Sequence, residues 1–491
     1  MSTKFFDVII VGAGLSGIGM ACHLQRNCRD KSYAVLEGRE AMGGTWDLFR
    51  YPGIRSDSDM HTLGYDFKPW CAAKAIADGP AILDYIKETA AEHDIDKNIR
   101  YNCMVKTANW SDENCKWEIE VKDKSTDQIS KISCNFLAMC SGYYSYEKGH
   151  SPDFPHSEDF SGQIIHPQKW PENLDYTGKK VVIIGSGATA VTLVPSMADK
   201  AEHVTMLQRS PTYIVSRPAK DKVANILRKI LPGKMAYAIT RWKNVFIQRF
   251  YYDQARAKPQ KTKEFLVKMT RKELGSGYDV DKHFSPNYNP WDQRVCLVPD
   301  GDLFKKIKSK QASIVTDTIS RFTEKGILLD SGKELEADII ITATGLNVLA
   351  TGGIVFTINN EDVDLSKTYT YRGMMYSDVP NLTLTFGYVN ASWTLRADLI
   401  AKYTCRIINH MQKTNTLRCM PRLREEDQDM QPKPFIENFT SNYIQRVMDN
   451  LPKQGDREPW TNPQNYKYEK SIFTKSKIED GVLTFDKPRE K

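Results

Sequence analysis

Two glycine-rich turns, each wedged between a short apolar strand and a helix, constrain this chain more than any other feature. The first, Gly12-Ala-Gly14-Leu-Ser-Gly17, follows the apolar run Phe5–Val11 and opens a helical stretch from Ile18 to Arg26. Gly12 permits the tight turn, Gly14 lets backbone approach a pyrophosphate, and Gly17 lets helix and strand pack closely. Phosphates at such a turn sit on the helix N-terminus, where free N–H groups and the dipole favour negative charge. A second strand, Ser32 to Leu36, ends in Glu37, twenty residues after Gly17. A carboxylate there accepts hydrogen bonds from ribose hydroxyls. A lone glycine motif is weak, but strand, turn, helix and acid in register point to a bound dinucleotide.

The second turn repeats the arrangement. Lys179–Ile184 reads as a buried strand, followed by Gly185-Ser186-Gly187-Ala188-Thr189-Ala190 and a helix. Ala190 replaces the third glycine, a variant this fingerprint tolerates. The next strand, His203 to Gln208, is followed by Arg209 and not by an acid. Arg209 lies 24 residues after Gly185, and Glu37 lies 25 after Gly12, so nearly equivalent positions carry opposite charge. A carboxylate would repel a 2′-phosphate, whereas a guanidinium binds it through bidentate, charge-assisted bonds. The plainer account of Arg209 is a surface arginine. The expected assignment is FAD at the first site and NADPH at the second.

Two such units in one chain define an α/β protein with two Rossmann-like domains, and they imply electron transfer from a nicotinamide to a flavin. The electrons then have at least three outlets: a disulfide, a quinone or O2. Ten cysteines are scattered with no pair three residues apart, which argues against a redox disulfide and fits a reducing cytoplasm. The nine histidines show no metal-ligand spacing, so no metal site is expected. No run of eighteen apolar residues exists, so no transmembrane helix is expected. No nucleic-acid partner is expected either.

Two longer motifs add a family likeness. Phe160-Ser-Gly162-Gln-Ile-Ile-His166-Pro-Gln-Lys-Trp170-Pro171 resembles the F-x-G-x-x-x-H-x-x-x-W-P fingerprint of type I Baeyer–Villiger monooxygenases, class B flavoproteins. Gly43-Gly44-Thr45-Trp46 through Tyr51-Pro-Gly53 to Asp57 resembles that family's second signature. Within the family the chain looks closest to the ethionamide-activating branch, which shares the G-S-G-A-T-A turn and the tail around Phe439–Tyr443 and Trp460.

The resemblance implies NADPH- and O2-dependent conversion of ketones to esters or lactones through a C4a-peroxyflavin, with sulfoxidation as a side activity. It implies Arg294 as the catalytic arginine and Asp57 as its partner, and it adds Gly44, Thr45 and Trp46 to the cofactor contacts. A fixed guanidinium beside a peroxide favours the anion, which attacks a carbonyl carbon. The protonated form suits sulfur and nitrogen. Where some members carry a lysine before the arginine, this chain has Gln293, which leaves Arg209 more of the NADPH selectivity. Without the fingerprints, Arg294 and Asp57 read equally as a structural ion pair. His166 fits a hinge aligning the two domains better than an acid or base. Trp46 and Tyr51 are candidates to wall the flavin, and core packing accounts for them as well.

These readings give an FAD domain from residues 1–147 and 345–491, with an NADPH domain of 151–215 and 291–344 set inside it. Thr344 and Gly345 mark the return to the FAD domain. Thr394 and Leu395 open a helix, Leu395–Met411, whose dipole suits a reduced flavin. A second insertion, 216–290, reads helical, with Trp242, Phe246 and Phe250 on one face and breaks at Pro232-Gly233 and Lys258-Pro259. Between Ala219 and Gly275 stand 15 Lys/Arg and 4 Asp/Glu, a net of +11 that leaves −4 for the rest of the formal +7. This segment reads either as a solvated cap over the substrate pocket or as a surface attracting anionic membrane or NADPH. Substrate contacts are expected from loops around Tyr51–Leu63, Tyr143–Tyr146 and Tyr371–Met375. The aromatics after Gln431 argue that the tail packs on the FAD domain. An N- or S-oxygenating flavin monooxygenase is the competing enzyme reading, and a flavin redox sensor without turnover is a third.

Overall fold

The computed structural model describes residues 4–437 and 439–487. The first sheet is built on β1 (Lys4–Val11), whose second half, Val8 to Val11, is buried on both faces. That is the pattern of a central parallel strand covered on both sides. Helix α1 (Leu15–Asn27) leads to β2 (Tyr33–Leu36), parallel to β1. After α2 (Thr45–Leu48), α3 (Met60–Leu63) and α4 (Gly79–Glu92), the edge strand β3 (Ile99–Arg100) extends the sheet beside β2. An antiparallel meander, β4 (Cys103–Ser111) and β5 (Lys116–Asp123), then feeds β6 (Ile129–Met139). The first half of β6 pairs with β5, and its length runs parallel to β1.

The second sheet begins with β7 (Gln163–Ile165) and β8 (Lys180–Ile184), continues through α5 (Ala188–Met197), and reaches β9 (His203–Gln208). Strand β10 (Ile214–Arg217) pairs in parallel with β11 (Cys296–Pro299). Between these two the chain folds into α6 (Lys222–Ile230), α7 (Gly233–Ala257), α8 (Pro259–Leu274) and α9 (Val280–Phe284). Helix α10 (Asp302–Lys308), strand β12 (Ala312–Thr316), a three-stranded antiparallel unit of β13 (Ile319–Thr323), β14 (Gly326–Leu329) and β15 (Glu334–Glu336), and finally β16 (Ile339–Thr342) follow. The strand order is β12-β9-β8-β16-β7, all parallel.

The chain then rejoins the first sheet. Strand β17 (Val355–Ile358) pairs with β4, and its hairpin partner β18 (Glu361–Asp362) forms the edge. A small hairpin, β19 (Thr370–Tyr371) and β20 (Met375–Tyr376), precedes β21 (Leu382–Leu384), which lies parallel to β6. Helix α11 (Trp393–Thr414) packs across α1 with Leu399, Ile400, Tyr403 and Ile407 buried. It begins two residues before the expected start because Ser392 takes the N-cap, its hydroxyl paired to Thr62 Oγ1 at 2.6 Å and not to the helix. In the tail after Gln431, Phe435, Ile436, Phe439, Ile444 and Trp460 are buried against the first sheet and α11.

The helical segment does not cap the cavity described below, because its buried face points elsewhere. On α7, the Tyr237 hydroxyl donates to Tyr65 O at 2.9 Å, and Arg241 Nη1 donates to His61 O at 2.9 Å and Gly64 O at 2.8 Å. The segment is thus clamped to α3 and the loop after it, behind the cavity wall. Tyr371–Met375 is likewise core and not pocket: the Tyr371 hydroxyl meets Tyr403 at 2.9 Å and donates to Asp480 at 2.6 Å.

Candidate active site

The two glycine turns have the same construction in space. Gly12 N–H donates to Leu36 O at 2.7 Å, and Gly185 N–H donates to Leu207 O at 2.8 Å. Gly12 has φ +101°, and a Cβ there would stand 2.6 Å from Cys140 O. Gly185 has φ +135°, and its Cβ would stand 2.4 Å from Ala343 O. Each turn is therefore pinned between the carboxyl ends of two neighbouring strands, where open α/β sheets bind ligands. Gly17 does what its position demands: a Cβ would come within 1.8 Å of Gly12 O, so only glycine lets α1 approach β1 this closely.

The acid and the arginine are less equivalent than their spacing implies. The strand partners make Gln208, not Arg209, the counterpart of Glu37, since each directly follows the residue whose carbonyl takes the glycine N–H. Gln208 is turned inward, donating to His283 O at 2.8 Å and Thr316 Oγ1 at 2.9 Å. Arg209, one residue on, is exposed in the cavity mouth. Glu37 is buried and accepts from Ala13 N–H at 2.7 Å and Arg39 N–H at 2.9 Å. Burial pushes its carboxyl up, and those two backbone donors oppose the shift. Lone pairs remain on both oxygens for further donors.

One continuous cavity of about 1360 Å³ joins the two turns, larger than a site for a single drug-sized ligand. At one end stand Gly12, Gly14, Glu37 and Arg39; at the other, Ser186, Gly187, Ala188, Thr189 and Arg209. The second glycine loop closes on the first: Gly43 N–H donates to Ala13 O at 2.9 Å, and a Cβ on Gly44 (φ +57°) would stand 3.0 Å from Gly14 Cα. Thr45 follows in the wall, its hydroxyl 2.6 Å from the Tyr144 hydroxyl. Trp46, Tyr51, Tyr143, Tyr144 and Tyr146 line the middle, and Tyr143 stacks on Trp393 at 5.3 Å.

Arg294 and Asp57 meet in this middle region, Nη1 to Oδ2 3.6 Å. Their side chains show 41% and 45% of their surface, and that surface is cavity wall. Tyr443, ahead of Tyr143 and Asp57, raises the Arg294 pKa against the opposing effect of burial, so the guanidinium stays charged. Gln293 lies beside it in the wall.

Other expected site residues are placed differently. Thr344 and Gly345 line the cavity, with the Thr344 hydroxyl donating to His150 O at 2.5 Å. Thr394 and Leu395 are fully buried behind the wall. Thr394 donates to Leu63 O, and it is Ala391 and Trp393 that face the space. None of Phe160, Gly162, His166, Trp170 and Pro171 lines the cavity. Phe160 packs edge-on to Phe322, and a Cβ on Gly162 would stand 2.3 Å from Asp338 O, which seats β7 beside β16. His166 sits between the two crossings of the chain: Nε2 is 3.2 Å from Gly345 O, and Gly149 lies flush on the ring. Of these residues His166 stands where the chain crosses between the two sheets, while Phe160 and Gly162 pack beside the second sheet.

In the wall, Arg55 falls within the expected Tyr51–Leu63 loop and Tyr443 within the tail motif, whereas Arg39 and Ser141 were not singled out. Arg39 Nη1, Arg55 Nη2 and Ser141 Oγ are buried with no hydrogen-bond partner among the described residues. Donors stranded in this way fit a polar ligand spanning the cavity. Arg39 carried a signal in the sequence, since it stands two residues after the acid; Ser141 carried none.

The flavin-binding monooxygenase-like family matches residues 75–459, and the NAD(P)-binding Rossmann-like domain matches 10–71. The FAD-containing monooxygenase EthA of Mycobacterium tuberculosis (strain ATCC 25618 / H37Rv) is 52% identical over 486 residues, 99% of this chain and 98% of that protein. The probable FAD-binding monooxygenase AlmA of Acinetobacter baylyi is 49% identical over 486 residues, 99% of this chain and 97% of that one. Among solved structures, an oxidized steroid monooxygenase bound to NADP superposes with a TM-score of 0.77 at 20% identity, covering 99% of this chain and 100% of its own. Cyclohexanone monooxygenase from Rhodococcus sp. Phi1 bound to NADP+ gives 0.75 at 18% identity, covering 99% and 100%. At that identity the two structures establish the shared fold.

Proposed function

Since the chain belongs to the flavin-binding monooxygenase-like family, we propose that it is an FAD- and NADPH-dependent Baeyer–Villiger monooxygenase, converting a ketone to an ester or lactone. The reaction balances as ketone, O2, NADPH and a proton giving ester, NADP+ and water. One observation carries the reading: a single cavity runs from Glu37 to Arg209 with the Arg294–Asp57 pair facing its middle. That supports two dinucleotides meeting end to end at a fixed cation.

FAD fits the first turn and NADPH the second. Gly12, Gly14 and Gly44 let a pyrophosphate approach backbone, Glu37 accepts from a ribose, and Arg39 brings an unpartnered donor. Bound FAD, reduced by NADPH, supplies the activation of O2. The chain's own residues do the rest. Ser186 to Thr189 and Arg209 hold the second dinucleotide by its phosphates. Arg294 keeps a proton off an anionic oxygen beside it and has none to give at working pH. Asp57 balances a cation that would be costly to leave alone in the cavity. The aromatic wall excludes water from the reacting atoms.

The test is product analysis. The FAD-loaded protein is incubated with NADPH, air, a linear aliphatic ketone and an aryl methyl sulfide, and products are identified by mass spectrometry. An ester one oxygen heavier than the ketone is expected, with sulfoxide as the minor product. Sulfoxide without ester would overturn the proposal in favour of S-oxygenation. NADPH consumption indifferent to both substrates would point to a flavoprotein without an oxygenation role.

A further inference from the structure

The helical segment between β10 and β11 leaves an apolar surface uncovered, and we propose that this surface docks on an anionic lipid bilayer. The inference rests on the segment alone and does not depend on the reaction assigned to the cavity.

Helix α7 has two opposite faces. Ala236, Tyr237, Thr240 and Arg241 are buried on the side facing α3 and the loop after it. Met235, Ile239, Trp242, Phe246 and Phe250 recur at helical spacing on the other side and are exposed, Trp242 by 69%. Trp242 and Phe246 stack on each other at 5.9 Å. The neighbouring helices repeat the pattern: Val223, Ile226 and Ile230 are exposed on α6, and Phe265 and Met269 on α8. Single exposed apolar residues need no explanation, but ten at helical spacing on three consecutive, mutually packed helices mark an interaction surface.

The charge around the patch selects the occupant. Lys222, Lys229, Lys234, Lys261, Lys268 and Lys272 are exposed and form no ion pair among the described residues. On α8, Lys261, Lys268 and Lys272 share the face of Phe265 and Met269. Amphipathic helices with aromatic and aliphatic residues on the outer face and lysines around them lie in the headgroup layer, the apolar side in the acyl boundary. Anionic headgroups answer the net +11 of the segment. A second copy docking the same face would set +11 against +11, since a two-fold contact brings identical patches together. A nucleic acid would answer the charge but leave the aliphatic stripe in water. No helix among the described residues is long and apolar enough to cross a membrane, so the contact is peripheral.

The experiment is flotation of the full-length FAD-loaded protein with vesicles of phosphatidylcholine, alone or with about a third phosphatidylglycerol. Partition onto the anionic vesicles should exceed that onto neutral ones by about tenfold or more at low salt, and fall as salt rises. The triple variant Trp242→Ser/Phe246→Ser/Phe250→Ser should lose about tenfold or more of the binding while keeping its flavin and its NADPH oxidation rate in solution. Lys261→Gln/Lys268→Gln/Lys272→Gln should bind more weakly and respond less to salt. Undiminished binding by the serine variant would overturn the proposal. Failure of the wild-type protein to float also overturns it. In that case sedimentation decides what covers the surface: a dimer dispersed by the serine variant assigns the patch to a second copy.

Discussion

The Arg294 guanidinium stands 3.6 Å from the Asp57 carboxylate, close enough for an ion pair and too far for a hydrogen bond. The pair therefore balances charge without Asp57 engaging the N–H fork of the arginine, part of which Tyr443 takes. Arg294→Ala should lower ester formation by about 10²–10³ or more. Reduction of the bound flavin by NADPH, followed anaerobically by loss of its visible absorbance, should survive. Arg294→Lys should not rescue the activity, because an ammonium lacks the planar fork. Ester formation by the alanine variant at the wild-type rate would remove Arg294 from the chemistry.

Asp57 then has a separate expected signature. Asp57→Ala leaves the Arg294 charge unbalanced beside the cavity, which costs stability and displaces the guanidinium. Ester formation should fall, and the thermal midpoint of the FAD-loaded protein should drop with it. If the midpoint alone moved, Asp57 would be a structural partner only. Asp57→Asn, which keeps the shape, separates the effect of charge from that of volume.

How much of this was legible without coordinates follows the physics of each feature. The glycine turns were readable because backbone geometry admits one residue type there, and a Cβ on Gly17 would come within 1.8 Å of Gly12 O. The strands Lys180–Ile184 and His203–Gln208 were readable because buried parallel strands are continuous apolar runs. The placement of Thr394, Leu395 and Tyr371–Met375 was not. Composition gives no direction to a helix start or a hairpin: Thr394 turns to Leu63 O, Leu395 is buried, and Tyr371, Met374 and Met375 pack in the core with α1 and α11. The helical segment read correctly as helix, but its target surface depends on Arg241 reaching three carbonyls in α3 and just after it. No spacing announces a bond across 180 residues. The Phe160–Pro171 motif was legible as a signature, but the contact of His166 with Gly345 O spans 179 residues and no spacing announces it.

Arg209 offers a test of cofactor choice. It lines the end of the cavity beyond Ser186 and is exposed, with no carboxylate paired to it among the described residues. Arg209→Ala should raise the KM for NADPH about 10- to 100-fold, the worth of a charge-assisted bond pair. The KM for NADH should stay within about twofold, since only the 2′-phosphate meets the guanidinium. Equal effects on both cofactors would assign Arg209 to general phosphate attraction.

Glu37 separates the two dinucleotides from the other side. Its carboxylate already takes the Ala13 and Arg39 N–H groups, so removal loosens the first glycine turn as well as the ribose contact. Glu37→Ala should weaken FAD retention about 10- to 100-fold, as expected for loss of hydrogen bonds to a charged acceptor. Flavin content after gel filtration measures it. Glu37→Gln should keep one of the two N–H contacts through its carbonyl and retain more flavin. Full flavin occupancy in the alanine variant would show that the glycine loops and Arg39 hold the dinucleotide without the acid.

His166 joins the two crossings between the sheets, and its protonation gives a pH signature. Nδ1 accepts the Gln168 N–H at 3.2 Å, so the network assigns the proton to Nε2, which donates to Gly345 O at 3.2 Å. A second proton would face the Gln168 N–H and break that contact. Burial, ahead of any other cause, lowers the pKa of this imidazole below the ordinary histidine range. A folded-state pKa below the unfolded one means that the unfolded chain binds protons first on acidification. The stability tied to His166 is therefore complete above the ordinary imidazole pKa of about 6.5 and is lost as pH falls through the lower, folded value. Between about pH 7.5 and 5.5 the wild-type thermal midpoint should fall further than that of His166→Gln, whose side chain does not titrate. Because the imidazole lies outside the cavity wall, the substitution should slow turnover through domain alignment, with kcat reduced and the KM for NADPH little changed. A His166→Gln protein with the same acid sensitivity as wild type would move the titration to another histidine and leave His166 a packing residue.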